Sequence, residues 1–331
     1  MIVKYERAAE LPPEWDEAAR GNIYLTRAFL AFMEEADDLE KSYYGVYSGD
    51  KLDTIFETVV QPEFNLAMFM GKVRKIKATM IYVPLSVTRA GISYGNCLAE
   101  ATEFIGKLPG YKVFLNLPDV NVKGFAKGFT CPKCILDIKW KTFDEYLHSL
   151  RSNYRYRYKK ALAKSKPLSL RYLESGDEFS PEMYALYEHV HDKSIIRVEK
   201  LTERFFRGKF FKIFVFEERG VPRGFVQLLE IGDELVFEFV GVDYSVNTKY
   251  DIYISMLLEI IRYGIDNGFK TIDFGQTADD AKLKLGCRHV PLYAFLGHRN
   301  PAINLLCKLF APKLQCKPFS QNFEVFKEEN L

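Results

Sequence analysis

The pattern of apolar and polar residues is most informative between residues 234 and 275, where it predicts a strand, a helix and a second strand. Val236 to Val242 form a β-branched and aromatic run, which is typical of a buried strand. Apolar residues then recur at helical spacing, and Gly268 follows them as a C-terminal cap. Residues 271–275 predict the second strand. Because a single helix joins the strands, we expect them to be parallel, with a ligand-binding crevice at their carboxyl ends.

Two other regions, residues 43–60 and 213–230, share one pattern of strand, glycine-containing turn and strand. Each follows a helix-like segment that carries aromatic residues. The repetition favours two related α/β domains, although hairpins with glycine turns are also common in unrelated folds. A strand at 135–140 leads into a helix that begins near Thr142, where Thr142 and Glu145 fit a capping box. The sequence therefore predicts one domain at residues 1–139 and another at 140–331.

Composition indicates the general class of protein but does not indicate a function. The chain has 331 residues, of which 48% are hydrophobic and 27% charged, and this balance is typical of a globular protein. A net charge of +2 means that any nucleic-acid surface has to be local. We see no secretory leader and no apolar run of membrane-spanning length, so we expect a cytoplasmic location without membrane insertion. The six cysteines are expected to be free thiols, including the Cys131-Pro-Lys-Cys134 pair.

Several motifs together resemble the FemAB-like branch of the GNAT acyltransferases. They are the helix ending in Asn-Gly, the strand Ile272-Asp-Phe-Gly275, the segments Lys282-Leu-Lys-Leu-Gly286 and Pro291-Leu-Tyr293, and, upstream, Trp140 with Thr142 to Leu150. The resemblance implies an α/β fold of tandem GNAT-like domains, with mixed central sheets flanked by helices. It further implies a catalytic second domain, a degenerate first domain, and acyl transfer without a metal.

The segment from Arg151 to Lys166 is strongly basic, and three tyrosines lie between its cations. Aromatic rings stack on bases while cations meet phosphates, so the pattern is compatible with RNA or with the phosphates of a nucleotide-like or CoA-type ligand. A solvated helix with inward-facing tyrosines explains the same pattern. From this segment we take Arg151, Arg155 and Tyr158 as candidate substrate-binding residues.

Acyl transfer to an amine needs a base for the ammonium proton, donors for the oxyanion and an acid for the leaving group. Glu238 lies mid-strand between apolar residues, and alternation places it on one face with Val236, Val240 and Val242. Burial on that face would make it a candidate base. It could equally be a surface residue. Lys282 matches the lysine that Fem-type proteins carry in the active site, although Ala281 and Leu285 stand where that motif has aromatic residues.

Three tyrosines are candidate general acids, Tyr244, Tyr250 and Tyr293, and we place Tyr293 in the predicted catalytic set with Glu238 and Lys282. Asp273 and Gln276 are predicted to orient the substrate. The structural alternative for Asp273 is that it caps the backbone amides of its own loop.

The turn after the central strand departs from the acyl-CoA-dependent pattern. GNAT enzymes that use acyl-CoA usually carry a glycine-rich turn there, whose amides bind the pyrophosphate. Residues 245–251 contain no glycine. Either the turn binds phosphate through side chains, or the donor is not CoA. The predicted cofactor-binding residues are Asn247, Thr248, Lys249 and Tyr250.

We therefore predict an N-acyltransferase that moves an acyl or aminoacyl group from a thioester or tRNA ester to an amine by direct attack. Acyl-CoA is the expected donor, and aminoacyl-tRNA is the less favoured one. The expected acceptor is a small molecule or a cell-wall precursor, with no metal involved. The alternative is a non-catalytic protein that binds a nucleotide-linked or cell-wall ligand in the same crevice. His189 and His191, two apart on a predicted helix, point about 200° apart and do not form a metal site.

Overall fold

The structure is a computed structural model that describes residues 1–65, 75–84, 88–194, 200–311, 315, 316, 319 and 321–327. Eleven α-helices lie in these residues. They are α1 (Trp15–Ala18), α2 (Arg27–Ala36), α3 (Leu98–Lys107), α4 (Phe143–Ser149), α5 (Ser152–Ser165), α6 (Pro181–Lys193), α7 (Glu203–Phe206), α8 (Tyr244–Tyr250), α9 (Ile252–Asp266), α10 (Asp279–Leu283) and α11 (Pro301–Phe310). Of the helices described, none is both long and apolar enough to cross a bilayer.

Fifteen strands are described, and they form two mixed sheets. The strands are β1 (Ile2–Tyr5), β2 (Lys41–Ser48), β3 (Lys51–Asn65), β4 (Lys75–Ile81), β5 (Ile92–Ser93), β6 (Tyr111–Leu117), β7 (Ala126–Phe129), β8 (Lys133–Asp137), β9 (Ser169–Tyr172), β10 (Phe211–Glu218), β11 (Val221–Ile231), β12 (Glu234–Val242), β13 (Thr271–Asp273), β14 (Arg288–Val290) and β15 (Tyr293–His298). The predicted α/β class with mixed sheets and flanking helices is confirmed.

The first sheet has the order β1-β2-β3-β4-β6-β15-β7, with β5 paired to β3. The predicted hairpin at residues 43–60 is β2–β3, which turns at Gly49-Asp50. β4 and β6 are parallel, while the other pairs are antiparallel. β15 follows all the strands of the second sheet in the chain, yet it pairs with β6 and β7 in this one.

The second sheet has the order β14-β8-β13-β12-β11-β10-β9. β10, β11 and β12 are consecutive antiparallel strands, as the glycine turns predict. Gly220 lies in the first turn, but Gly224, also expected there, lies within β11 opposite Phe216. α9 connects β12 to β13, and these two strands are parallel, as predicted. The apolar face of α9 packs on the sheet in a core that also includes Tyr158 of α5.

The chain divides into two compact units that are not consecutive segments. The first comprises Met1–Pro132, Ile195–Phe205 and Pro291–Pro318, and the second comprises Lys133–Ser194, Phe206–Val290 and Phe319–Leu331. This division differs from the predicted domains 1–139 and 140–331. The reason lies in strand pairing, because β8 pairs with β13 and β14 in the second sheet while β15 pairs in the first.

Candidate functional site

An opening begins in the second sheet where β13 ends. β12 and β13 pair at only three positions, from Glu234↔Thr271 to Val236↔Asp273. β12 continues to Val242, and no described strand pairs with that edge of residues 237–242. β12 therefore extends past the end of its parallel neighbour β13. The predicted crevice therefore has a structural counterpart.

Glu238 occupies a β-bulge on β12 beside this opening. Gln227 and Leu228 are adjacent on β11, yet they pair with Phe239 and Phe237, so Glu238 is the extra residue between them. Its side chain is 6% exposed. Bulges often redirect a side chain next to an active site.

The bulge also changes which residues of β12 share a face. Phe237 packs in the core beside α9, and so do Val240 and Val242. Strict alternation would place Phe237 opposite the two valines. The predicted face that grouped Glu238 with Val240 and Val242 is therefore wrong, because the extra residue reverses the alternation beyond position 238.

Asp273 ends β13 and is fully buried. Its Oδ1 accepts a hydrogen bond of 2.8 Å from the amide of Gly275, and its Oδ2 lies 3.3 Å from the ammonium of Lys133. These contacts match the structural alternative from the sequence, in which Asp273 caps its own loop. A substrate contact by Asp273 stays a prediction.

The loop after β13 holds an unusual backbone conformation. Thr277 has φ +63° and Ala278 has φ +52°, both in the left-handed region that L-residues seldom occupy. Such residues cost roughly 1–3 kcal/mol each, and they persist where the surrounding structure enforces them, often at functional sites. The loop leads directly into α10, which carries Lys282.

Lys282 is buried at 3% exposure, so it is not the solvated lysine that a charged loop suggests. Its Nζ donates a hydrogen bond of 2.7 Å to the carbonyl oxygen of Gln276. Burial lowers the pKa of Lys282, and nearby Cys134, Cys287, Asp279 and Asp273 partly oppose that effect. The ammonium thereby ties α10 to the loop at Gln276, which is itself buried.

A second polar group at this end of β13 was not predicted from the sequence. His289 on β14 pairs with Cys134 on β8, and Cys134 exchanges backbone hydrogen bonds with Phe274 and Gly275. His289 Nε2 lies 2.6 Å from Oδ1 of Asp279, forming an acid–imidazole pair. No sequence pattern indicated this pair, because a single histidine in a short strand matches no motif.

Cys134, Asp279 and His289 offer one sulfur, one oxygen and one nitrogen within 4.8 Å of one another. These are ligand types that zinc accepts. The buried ammonium of Lys282, however, interacts with both Cys134 and Asp279 and opposes a further cation. The prediction that the chain has no metal site stays a prediction.

Residues 245–251 were expected to form a turn, but residues 244–250 form helix α8, so the expected turn is wrong. Binding of a cofactor phosphate by Asn247, Thr248, Lys249 and Tyr250 stays a prediction. Asn247 Oδ1 accepts from the amide of Tyr253, and the carbonyl of Thr248 accepts from Lys164. The other two candidates both bind Glu218: Lys249 forms an ion pair of 3.0 Å, and the buried Tyr250 donates its hydroxyl.

Asp243 explains why this segment is helical. It is the N-cap of α8, and its carboxylate accepts hydrogen bonds from the amide and the hydroxyl of Ser245. Burial opposes ionisation, yet the bonds from Ser245 and from Arg223 outweigh it and hold the pKa of Asp243 below its usual value. A negative side chain therefore lies at the helix start, where the CoA-dependent pattern has glycines.

The predicted substrate-binding residues of the basic segment form hydrogen bonds and an ion pair with other residues of the second unit. Arg151 pairs with Glu324 at 2.8 Å and donates to the carbonyl of Phe326. Arg155 contacts backbone carbonyls at the end of α4 at 3.4 Å. Tyr158 is buried and donates its hydroxyl to the carbonyl of Lys284. A substrate role for these three stays a prediction.

The outer face of α5 presents a different set of residues, which the prediction did not select. Tyr156 is 71% exposed. The exposed cations on the same helix are Arg157, Lys159 and Lys160. Together they form a basic strip with one aromatic ring, which we call the α5 strip.

Tyr293 lies on β15 and therefore in the first unit, not with Glu238 and Lys282 in the second. Its ring makes an edge contact with Phe129 and carries the ammonium of Lys127 at 4.0 Å from its centroid. Glu238, Asp273, Gln276 and Lys282 all lie in the second unit.

Comparison with known proteins gives a family for the central part of the chain. A family model described as an acetyltransferase (GNAT) domain matches residues 148–283. The matched range includes β12, β13 and the loop to Lys282, but it ends before His289. No curated protein matches the sequence.

Solved structures share the fold at low sequence identity. FemX is 12% identical over 89% of this chain and 93% of its own, with a TM-score of 0.53. L-PGS from Bacillus licheniformis is 12% identical over 91% and 97%, with a TM-score of 0.50. A conserved protein of unknown function from Bacteroides thetaiotaomicron is 9% identical over 89% and 99%, with a TM-score of 0.52. At these identities the likeness concerns the fold alone.

Proposed function

We propose that the chain is an N-acyltransferase and that the opening between β12 and β13 is its active site, since a GNAT acetyltransferase family model matches residues 148–283. The observation that carries this proposal is the buried Glu238 at a bulge where β12 extends past the end of β13. In the proposed reaction an acceptor amine attacks the carbonyl carbon of an activated acyl ester directly. A C–N bond forms while the C–O or C–S bond to the carrier breaks.

Glu238 is the proposed general base. The attacking amine has to lose a proton, and a carboxylate shielded from water is suited to accept one near neutral pH. Hydrogen-bond donors beside the bulge would stabilise the developing oxyanion. The departing oxygen or sulfur then takes up a proton, which balances the reaction.

Lys282 is proposed as a positioning residue. Its ammonium bonds to the carbonyl of Gln276 and is buried away from solvent. This contact fixes the strained loop at Thr277 and Ala278, so that Gln276 keeps its place at the end of β13. The acid–imidazole pair of Asp279 and His289 follows the same loop in the chain and is a second candidate for proton transfer.

For the donor we propose an aminoacyl ester of tRNA. The carboxylate of Asp243 already accepts a hydrogen bond from the amide of Ser245 in the first turn of α8, and its charge would repel a pyrophosphate at that helix start. The α5 strip, by contrast, combines an exposed ring with cations, as single-stranded nucleic acid requires. Acyl-CoA, which the GNAT fold generally uses, is the second candidate donor.

Discharge of the donor tests the proposal. Aminoacylated bulk tRNA and acetyl-CoA are each incubated with the protein and a panel of primary amines, including an amino sugar and a peptide with a free side-chain amine. We expect amine-dependent loss of the aminoacyl ester. Glu238→Gln should slow this loss by about 10²–10⁴-fold, whereas Glu234→Gln, on the same strand at the paired end, should leave it unchanged.

The possible results test the choice of donor and the placement of the active site separately. Release of free CoA from acetyl-CoA, without discharge of tRNA, would overturn the donor and keep Glu238 as the base. An unchanged rate in Glu238→Gln would overturn the placement of the active site. If neither donor is discharged by any amine, transfer from these two carriers is excluded.

A further inference from the structure

Helix α11 is apolar on both of its faces. Its inner face packs Ile303, Cys307 and the following Ala311 against Ala126 of the first sheet. Its outer face carries Leu305, which is 58% exposed, together with the two leucines described next. A surface helix normally presents charged and polar residues outward, and one that is apolar all round is usually covered by something.

Leu306 is 51% exposed and Leu309 is 62% exposed, so three leucines share one side at positions i, i+1 and i+4. Phe310, the last residue of the same helix, is 50% exposed, and the remaining large apolar side chains that are exposed in the described residues lie on several different elements. The three leucines therefore form a concentrated patch, which we call the α11 patch. Concentrated exposed apolar area marks a binding surface, whereas isolated exposed leucines are ordinary.

The charged residues next to the α11 patch in the sequence are of one sign. Lys308 is exposed on the helix at the edge of the patch, and Arg299 is exposed just before it. From Arg299 to Phe323 the sequence contains four basic residues and no acidic one. An apolar face with basic flanks is complementary to an anionic lipid surface, where leucines enter the acyl boundary and cations meet headgroups.

We propose that the α11 patch binds the surface of an anionic bilayer. The helix has ten residues and would lie in the plane of the interface rather than cross it. This inference goes beyond the transfer reaction and rests on different residues, so either can hold without the other. Its consequence is that the protein would collect at a membrane that presents anionic headgroups.

Co-sedimentation with vesicles tests this proposal. The full chain is mixed with vesicles of phosphatidylglycerol and phosphatidylcholine, or of phosphatidylcholine alone. We expect binding to the anionic vesicles that weakens as salt is raised, and weaker binding to the neutral ones. The double variant Leu305→Gln/Leu309→Gln should lower the partition coefficient about tenfold or more.

Two further variants control the assay. Lys308→Gln should reduce binding to anionic vesicles only. Val221→Gln replaces an apolar side chain of similar exposure in a hairpin of the second unit, and it should bind as the unsubstituted chain does. Circular dichroism of each variant confirms that it is folded.

Other occupants of the patch would give distinct results. If the chain ignores both kinds of vesicle but forms a dimer that Leu305→Gln/Leu309→Gln dissociates in sedimentation velocity, the patch is an interface between two copies and the proposal is overturned. It is equally overturned if binding to anionic vesicles persists undiminished in that variant.

Discussion

The hydroxyl of Tyr158 donates a hydrogen bond of 2.5 Å to the carbonyl oxygen of Lys284. Tyr146, on the preceding helix, donates to the next carbonyl, that of Leu285, at 3.0 Å. Both tyrosines are buried, and burial raises the pKa of each, so both remain protonated donors. Helix α5 is therefore hydrogen-bonded to the segment that follows Lys282. The residues on its outer face, including Tyr156, are exposed to solvent.

Removing one of these hydroxyls should loosen that segment. Tyr158→Phe leaves the carbonyl of Lys284 without its buried donor, which should lower the free energy of unfolding by about 1–3 kcal/mol. Urea denaturation measures the loss. Tyr156→Phe, on the exposed face of the same helix, should be neutral, and equal losses in the two variants would contradict this role for Tyr158.

Lys282→Met should change how stability depends on alkaline pH. Burial lowers the pKa of Lys282 in the folded state, while the unfolded chain keeps a value near 10.5. Between the lowered value and 10.5 the unfolded chain binds more protons, so the stability contributed by this group rises with pH. Denaturation curves at several alkaline pH values should therefore show that the free energy of unfolding rises less with pH in the variant than in the original chain.

Lys284→Met provides the matched control for this measurement. Lys284 is on the same segment but makes an ordinary ion pair of 2.7 Å with Asp280 near the surface. The dependence of the free energy of unfolding on alkaline pH should change in Lys282→Met and stay the same in Lys284→Met. Identical slopes in the original chain and in Lys282→Met would show that the buried ammonium does not titrate in that range.

Glu218→Gln should remove part of the stability that is lost in acid. A hydrogen bond from Tyr250, with the charge of Lys249, lowers the pKa of Glu218 to about 2 from 4.5. The contribution of this carboxylate is therefore complete above pH 4.5 and disappears as the pH falls towards 2. The difference in melting temperature between Glu218→Gln and the original chain should be largest at neutral pH and close towards pH 2. A difference that is constant with pH would contradict the assignment.

The cysteines should differ strongly in reactivity towards iodoacetamide. Burial raises the pKa of Cys134 to about 12 and raises that of Cys287 well above its usual value, so neither forms an appreciable thiolate at neutral pH. Cys316 is only half-buried and should be labelled first in the native protein. Peptide mapping after a short pulse measures this order, and all six should react after denaturation. Early labelling of Cys134 would show that the interior of the second unit opens readily.

Local pattern predicted the central part of the second unit well. The order β12, α9, β13 and the parallel pairing follow from periodicity and from the need to connect parallel strands through a helix. The bulge at Glu238 could not be predicted in this way, because it depends on the partner strand that holds Gln227 and Leu228. The predicted orientation of Val240 on the sheet was therefore wrong.

Residues 244–250 form a second element that the sequence pattern did not predict. The absence of glycine argued against the usual phosphate turn, but the helix itself depends on the capping by Asp243 and on the contacts of Lys249 and Tyr250 with Glu218. Those contacts join residues about 30 positions apart. Likewise, nothing near Tyr158 in the sequence indicated that its hydroxyl binds a carbonyl more than a hundred residues away.

The position of β15 has a consequence for the order in which the protein is made. β6 and β7 are both synthesised early, but the strand that lies between them is residues 293–298. A ribosome adds about 5–20 residues per second, so the first sheet waits for many seconds with two unpaired strand edges. During that interval β6 and β7 are templates for wrong partners. Nascent chains should therefore depend on a chaperone until the last strand emerges.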